Sequence, residues 1–117
     1  MTLQLKKMNI QQKGHTAIIK DEQGDTTAFL NTITTQYATV KDKNIILDLT
    51  QDGEVSLSDV LGFLKLSNKH RKAKKSLVIV VKDFDFNDAP DEMLIVPTLQ
   101  EAHDMIEMEE IERDLGF

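Results

Sequence analysis

The sequence of 117 residues contains no cysteine. This absence excludes disulfide scaffolds, zinc sites with cysteine ligands, iron–sulfur clusters and thiol nucleophiles. No apolar run approaches the ~18 residues of a membrane-spanning helix, and the first residues lack the apolar stretch of a signal peptide. We therefore expect a cytoplasmic protein with a single domain over residues 1–117, because a chain of this length can bury a core without metal or disulfide.

Histidine is scarce, and its three copies, His15, His70 and His103, are far apart in the sequence. Dispersed histidines give no basis for a Ser-His-Asp arrangement, and no glycine-rich phosphate loop follows a predicted strand. His103 and Glu107 are four residues apart on a predicted helix, but two ligands without a third do not make a metal site. We expect no metal, no cofactor and no enzymatic activity.

Positive charge is nearly missing from the last third of the chain. Residues 83–117 carry 1 Lys or Arg against 12 Asp or Glu, whereas residues 1–82 carry 13 against 8. The net charge of −6 argues against binding to a phosphate backbone, which needs clustered positive charge. The basic stretch 65–75 has no interleaved aromatic residue for base stacking. We expect neither nucleic acid nor a membrane as a partner.

Short apolar runs predict the strands. Residues 3–10 and 16–19 read as a hairpin around a turn at 12–14, where glycine supplies the permissive residue. Residues 45–49 and 77–81 are continuous apolar runs, which are typical of central parallel strands covered on both faces. A further short run at 93–96 ends before a proline and predicts a last strand.

The first predicted helix follows Asp25, which can serve as its N-cap. Its apolar face would contain Phe29, Leu30, Ile33 and Tyr37, and would extend to Val40. Six threonines lie between residues 26 and 39, and β-branched residues favour strand. A strand over the same segment therefore stays open as an alternative.

Ser56 and Thr98 are the other predicted N-caps. Each is followed three residues later by an acid, Asp59 or Glu101, in the spacing of a capping box. Apolar residues then recur at helical spacing, which predicts one helix from Ser56 into the basic stretch and an acidic helix over 98–115. Strands and helices in this order predict an α/β domain, an open mixed sheet with an N-terminal hairpin and helices packed against it.

The element order and the segment from residue 44 to 81 resemble the STAS domain, the fold of anti-sigma factor antagonists. In that family a strand ends in Asp-Leu-Ser, and Asp-Ser-Ser-Gly followed by an apolar residue opens the next helix. Here Asp48-Leu49-Thr50 matches the strand end, and Ser56-Leu57-Ser58-Asp59-Val60 stands at the helix start. Only the second serine of the family's motif is kept, which aligns Ser58 with the family's phosphorylatable position.

The resemblance implies a partner switch. A kinase-like anti-sigma factor would bind the face around Ser56, Ser58 and Asp59, next to the strand end at Asp48, and phosphorylation of Ser58 would block that binding. About two added negative charges beside Asp59 at a desolvated contact would disfavour docking.

The last segment, from Thr98 onward, also resembles short STAS-like bacterial chains that sometimes carry the name ribonuclease Z. A nuclease of that metallo-β-lactamase type would need a His-x-His-x-Asp-His cluster, and the dispersed histidines do not provide one. The sequence therefore does not support nuclease activity for this chain.

A second hypothesis places binding on the acidic helix. Met105, Met108, Ile111 and Leu115 form an apolar line beside the predicted core face, and methionine-rich faces adapt to partners. This line predicts contact with another protein or with a second copy of the chain as a homodimer, although core packing also accounts for Met105. In this alternative the chain is a constitutive accessory or structural module without phosphorylation.

Overall fold

The computed structural model describes residues 8–116, which build a five-stranded sheet whose strands lie side by side in sequence order. The strands are β1 (Asn9–Lys13), β2 (Thr16–Lys20), β3 (Asn44–Asp48), β4 (Leu77–Val80) and β5 (Leu94–Val96). The helices are α1 (Thr26–Thr35), α2 (Leu57–Leu61), α3 (Leu64–Lys72) and α4 (Leu99–Asp114), with short 3₁₀ turns at Tyr37–Thr39 and Phe86–Asp88. Because β1 pairs antiparallel with β2 and the other pairs are parallel, the sheet is mixed, and the predicted α/β class is confirmed.

The N-terminal hairpin is present, but its turn differs from the prediction. Lys13 still pairs with Thr16, so the turn consists of Gly14 and His15 rather than residues 12–14. Gly14 has φ of 59°, and glycine with positive φ at the first turn position is what a type II′ hairpin turn requires. The predicted strand positions Leu3 and Leu5 lie outside the described residues.

The central strands are covered on both faces, as their continuous apolar runs predict. Every residue of β3 and β4 is buried. Successive side chains of a strand point to opposite faces, so the sheet has two separate apolar layers. The layer under α1, α2 and α3 contains mainly Ile19, Ile45, Leu47, Ile79, Ile33 and Phe63. The layer under α4 contains Ile46, Val78, Val80, Ala102 and Ile106.

The segment after β2 is helical, so the strand alternative is wrong. Asp25 caps α1 by accepting a hydrogen bond from the Ala28 backbone N–H at 3.1 Å. The hydroxyls of Thr32, Thr34 and Thr35 each donate to the carbonyl four residues earlier, at 2.8–3.0 Å. These bonds satisfy the hydroxyls inside the helix, while the Asp25 cap and the burial of Phe29 and Ile33 stabilise it.

The first helix is shorter than the sequence predicts, and the second predicted helix is divided into two. After α1 ends at Thr35, the chain tightens into the 3₁₀ turn, while Val40 still reaches the core at 1% exposure. The helix predicted to run on from Ser56 is interrupted at Gly62 and Phe63, between α2 and α3. Phe63 is fully buried there and packs against Phe29, with ring centroids 6.3 Å apart. This long-range contact occurs at the break between the two helices.

Candidate functional site

The carboxyl ends of the parallel strands β2, β3 and β4 meet at one edge of the sheet, which we call the carboxyl edge. In open α/β sheets this is the edge where loops gather side chains for binding. Four acids lie close together at this edge, at the end of β3, in the loops after β2 and β3 and at the start of α2, and the charges of the other three act on Asp52. These acids are Asp21, Asp48, Asp52 and Asp59.

Ser56 and Asp59 form the predicted capping box at the start of α2. The Asp59 backbone N–H donates to Ser56 Oγ at 3.1 Å, and the Ser56 backbone N–H donates to Asp59 Oδ2 at 3.0 Å. The Thr26 hydroxyl, at the start of α1, donates to Asp59 Oδ1 at 3.3 Å. The hydrogen bond from the Ser56 backbone is the main reason that the pKa of Asp59 is lowered. Asp59 is therefore a charged anchor that fixes α2 and joins it to α1.

Ser58 is exposed on α2, beside the exposed Leu61. Leu57 and Leu61 have 37% and 42% of their surface exposed. Residues three or four apart in a helix share a face, so Leu61 is a neighbour of both Leu57 and Ser58. We call the surface formed by Leu57, Ser58 and Leu61 the α2 face. It combines apolar area with an accessible hydroxyl.

Asp48 is separate from the α2 face. It is 5% exposed, and its Oδ1 accepts hydrogen bonds from the Thr50 backbone N–H at 2.9 Å and from the Thr50 hydroxyl at 2.7 Å. An aspartate that bonds the backbone two residues ahead forms an Asx turn. Asp48 thus turns the chain out of β3 and positions the loop that leads to α2.

Asp21 and Asp52 form a carboxyl pair between the β2–α1 loop and the β3–α2 loop. Asp21 Oδ2 and both side-chain oxygens of Asp52 are buried and receive no hydrogen bond from a donor. Burial, a carboxyl–carboxyl hydrogen bond with Asp21 and the nearby charges of Asp21, Asp48 and Asp59 raise the pKa of Asp52 to about 8. As two carboxylates the pair would have no donor, whereas one proton on Asp52 turns the contact into a hydrogen bond.

Sequence reasoning did not identify Asp21. It is 3% exposed and directly follows β2, just as Asp48 closes β3 in the next strand. The shared pattern, an acid at the end of each of two neighbouring parallel strands, is a signal that could have found it. Thr26 was also missed, because its bond to Asp59 spans 33 residues of sequence.

The predicted apolar line on α4 is divided between two faces of the helix. Met105 is half-buried and packs on the layer under α4, which agrees with a core role. Met108, Ile111 and Leu115 are 58%, 52% and 67% exposed. Their spacing of three and four residues places them on one face, and we call this surface the α4 outer strip.

The inner face of α4 becomes polar beyond Ile106. Glu109 forms an ion pair with Arg71 of α3 at 3.1 Å and accepts a hydrogen bond from the Ser76 hydroxyl at 2.5 Å. Arg113 donates to Ser76 Oγ at 3.2 Å and to the Asn44 side chain at 3.4 Å. These bonds hold the second half of α4 beside the start of β3, so its apolar residues face away from the sheet.

Histidines do not assemble a metal centre in residues 8–116, where no three His, Asp or Glu side chains are placed to hold an ion. His103 is half-buried on α4, and burial lowers its pKa. His70 is fully buried and belongs to the packing of α3. Across the same residues, none of the helices has the length and apolar character needed to cross a bilayer.

The fold is thus an α/β sheet domain with an acidic carboxyl edge and two exposed apolar surfaces, the α2 face and the α4 outer strip. No protein-family model matches the chain, and no curated protein matches it.

Proposed function

We propose that this chain is a non-enzymatic protein-interaction domain of the cytoplasm, a divergent STAS-like protein that acts as an anti-sigma factor antagonist. The observation that carries the proposal is the α2 face. Leu57 and Leu61 are 37% and 42% exposed, and the accessible Ser58 lies at the border of this pair. Apolar side chains left in water beside a modifiable hydroxyl suit a docking surface that can be switched off.

Hydrogen bonds fix the start of the helix that carries the α2 face. The Ser56–Asp59 box fixes the start of the helix, and Thr26 ties Asp59 to α1. A fixed surface loses less conformational entropy on docking than a mobile one. A partner that covers both leucines would gain about 25 cal/mol for each Å² of apolar surface removed from water.

Phosphorylation of Ser58 would oppose such docking. A phosphate adds about 1.5 to 2 negative charges at neutral pH, and here it would stand next to the ionised Asp59, whose pKa is lowered. A charge at the border of an apolar contact must be partly desolvated when the partner binds, which weakens the complex. By resemblance to the STAS family, the partner is a kinase-like anti-sigma factor.

Affinity capture from native lysate tests the proposal, with four bait proteins compared with wild type. Leu61→Asp and Ser58→Asp alter the α2 face, while Leu115→Asp and Ser58→Ala are matched controls that place the same acid on α4 or remove only the hydroxyl. We expect both α2 acid variants to lose a partner that both controls retain. Retention of every partner by Leu61→Asp and Ser58→Asp at wild-type levels would contradict the proposal.

A second candidate function rests on the α4 outer strip. The exposed Met108, Ile111 and Leu115 lie on the acidic helix and would suit a basic partner of a constitutive accessory module. The same captures separate the two candidates, because a partner lost only with Leu115→Asp, together with an unmodified Ser58 by intact mass, supports the accessory function.

A further inference from the structure

The α4 outer strip is apolar at its centre and acidic along its borders. Met108 and Leu115, with Ile111 between them, are seven positions apart, which is about 10 Å along the helix. Glu107, Glu112 and Asp114 are exposed beside them, and no ion pair within residues 8–116 engages these three acids. A partner for this strip must therefore offer an apolar groove bordered by positive charge.

The chain itself contains a groove of that kind on the opposite face of the sheet. A cavity of about 350 Å³ lies between α1 and α3, and we call it the α1/α3 groove. Its walls include Leu30, Tyr37, Gly62 and Leu66, and its rim carries Lys65 and Lys69.

The two rim lysines lack a carboxylate partner among the described residues. Lys69 Nζ lies 4.7 Å from the centre of the Tyr37 ring, and Lys65 is exposed. The neighbouring helix α1 has no charged residue. The groove thus presents two lysines without an ion-pair partner beside apolar side chains, while the charge of Asp42 acts on its Tyr37 wall.

We propose that the α4 outer strip of one copy docks in the α1/α3 groove of a second copy. Met108, Ile111 and Leu115 would fill the groove, while the acids beside them would face Lys65 and Lys69. A symmetric contact of strip with strip would bring the acidic borders together, and groove with groove would oppose the lysines. Like charges at an interface disfavour association, which argues against both symmetric contacts. The contact of the strip with the groove is the one that brings opposite charges together.

The proposed contact is head to tail. The strip is on the face of the sheet covered by α4, and the groove is on the face covered by α1 and α3. After one docking event each dimer still exposes one strip and one groove, so further copies can add unless the ring closes. A contact of this small size gives weak, concentration-dependent association. The inference does not rest on the docking proposed for the α2 face.

Sedimentation velocity over protein concentrations from ~10 μM to ~1 mM tests this, since contacts of this size bind weakly. Two variant proteins each disrupt one half of the proposed contact. Ile111→Asp alters the strip, and the double variant Lys65→Glu with Lys69→Glu alters the groove. The double variant Lys41→Glu with Lys82→Glu changes the net charge equally at two exposed lysines elsewhere and serves as the control. Circular dichroism confirms that each variant is folded.

We expect the wild type and the charge control to associate as concentration rises, and each blocked variant to associate at least about tenfold more weakly. The decisive sample is the mixture of the two blocked variants. The lysine double variant supplies an intact strip and Ile111→Asp supplies an intact groove, so we expect a one-to-one dimer. A wild type that stays monomeric over the whole range overturns the proposal. A mixture that stays monomeric while the wild type associates overturns it too, because the contact is then not strip to groove.

Discussion

The carboxyl groups of Asp21 and Asp52 face each other at the carboxyl edge, and three of their four oxygens are buried without a hydrogen-bond donor. The fourth, Asp21 Oδ1, accepts from the Gln23 backbone N–H at 3.1 Å. Because the pKa of Asp52 is raised to about 8, we expect Asp52 to carry a proton at neutral pH and to join the β2–α1 loop to the loop that leads to α2. The protonation state of this pair is therefore coupled to the part of the fold that supports the α2 face.

This pair predicts that stability falls as pH rises. Asp52 has a pKa of about 8 in the folded chain against 3.8 for an unperturbed group, so the folded state holds the proton more tightly. Its stabilising contribution is fully present below pH 3.8 and is lost as the pH rises through about 8. Asp52→Asn removes this dependence, and we expect it to unfold at a higher temperature than wild type near pH 8.

Thermal unfolding measured from acid to mildly alkaline pH checks this prediction, with Asp91→Asn, an exposed acid on the β4–β5 loop, as the control. The control should keep the wild-type slope of stability against pH. An Asp52→Asn protein with the same slope as wild type would show that the pair does not share a proton.

The capping box predicts that replacing Ser56 by alanine destabilises the fold more than replacing Ser58, two residues later. Ser56→Ala removes the acceptor for the Asp59 backbone N–H, and we expect it to lower the free energy of unfolding by about 1 kcal/mol. Ser58→Ala removes only an exposed hydroxyl and should change stability by less than about 0.5 kcal/mol. Urea unfolding of both proteins compares them, and equal losses would mean that the box does not fix α2.

The two faces of α4 predict that truncating an isoleucine destabilises the fold strongly on the inner face and only slightly on the outer strip. Ile106 is 3% exposed in the layer under α4, whereas Ile111 is 52% exposed on the outer strip. Ile106→Ala should cost about 2–5 kcal/mol, as deletions from a packed core do. Ile111→Ala should cost less than about 0.5 kcal/mol, since it is a surface substitution. Similar losses in denaturant unfolding of dilute monomer would contradict the assignment of the outer strip to solvent.

A buried histidine gives a further prediction. His70 Nε2 lies 2.7 Å from the Lys43 carbonyl, which can only accept, so Nε2 carries the proton. Nδ1 then accepts from the Tyr37 hydroxyl at 2.5 Å, and burial lowers the pKa of His70. Tyr37→Phe leaves Nδ1 buried without a donor, and we expect it to destabilise the fold by about 1–3 kcal/mol. Unfolding at neutral pH measures the loss, and a variant as stable as wild type would refute the role of this bond.

Local signals in the sequence predicted the helix starts and the central strands. Asp25, Ser56 and Thr98 act as N-caps through hydrogen bonds to residues three positions later, so a short stretch of sequence contains the whole interaction. The buried runs of β3 and β4 likewise follow from composition, because strands covered on both faces need apolar residues throughout. The mixed α/β sheet followed from the order of these elements.

The features that the sequence did not reveal depend on distant residues. The break between α2 and α3 places Phe63 against Phe29, 34 positions earlier by residue number. The pair of Asp21 and Asp52 joins two loops that meet only when the strands are side by side. On α4, periodicity identified the apolar residues, but the ion pair of Glu109 with Arg71 decides which of them face outward.

Hydrogen–deuterium exchange of the chain with a captured partner shows whether the partner docks at the α2 face. We predict that the partner slows exchange at the backbone amides of residues 56–61 in the unmodified protein, and that Ser58→Asp abolishes this protection. Protection confined to residues 107–115, with residues 56–61 unchanged, would contradict docking at the α2 face and assign partner binding to α4.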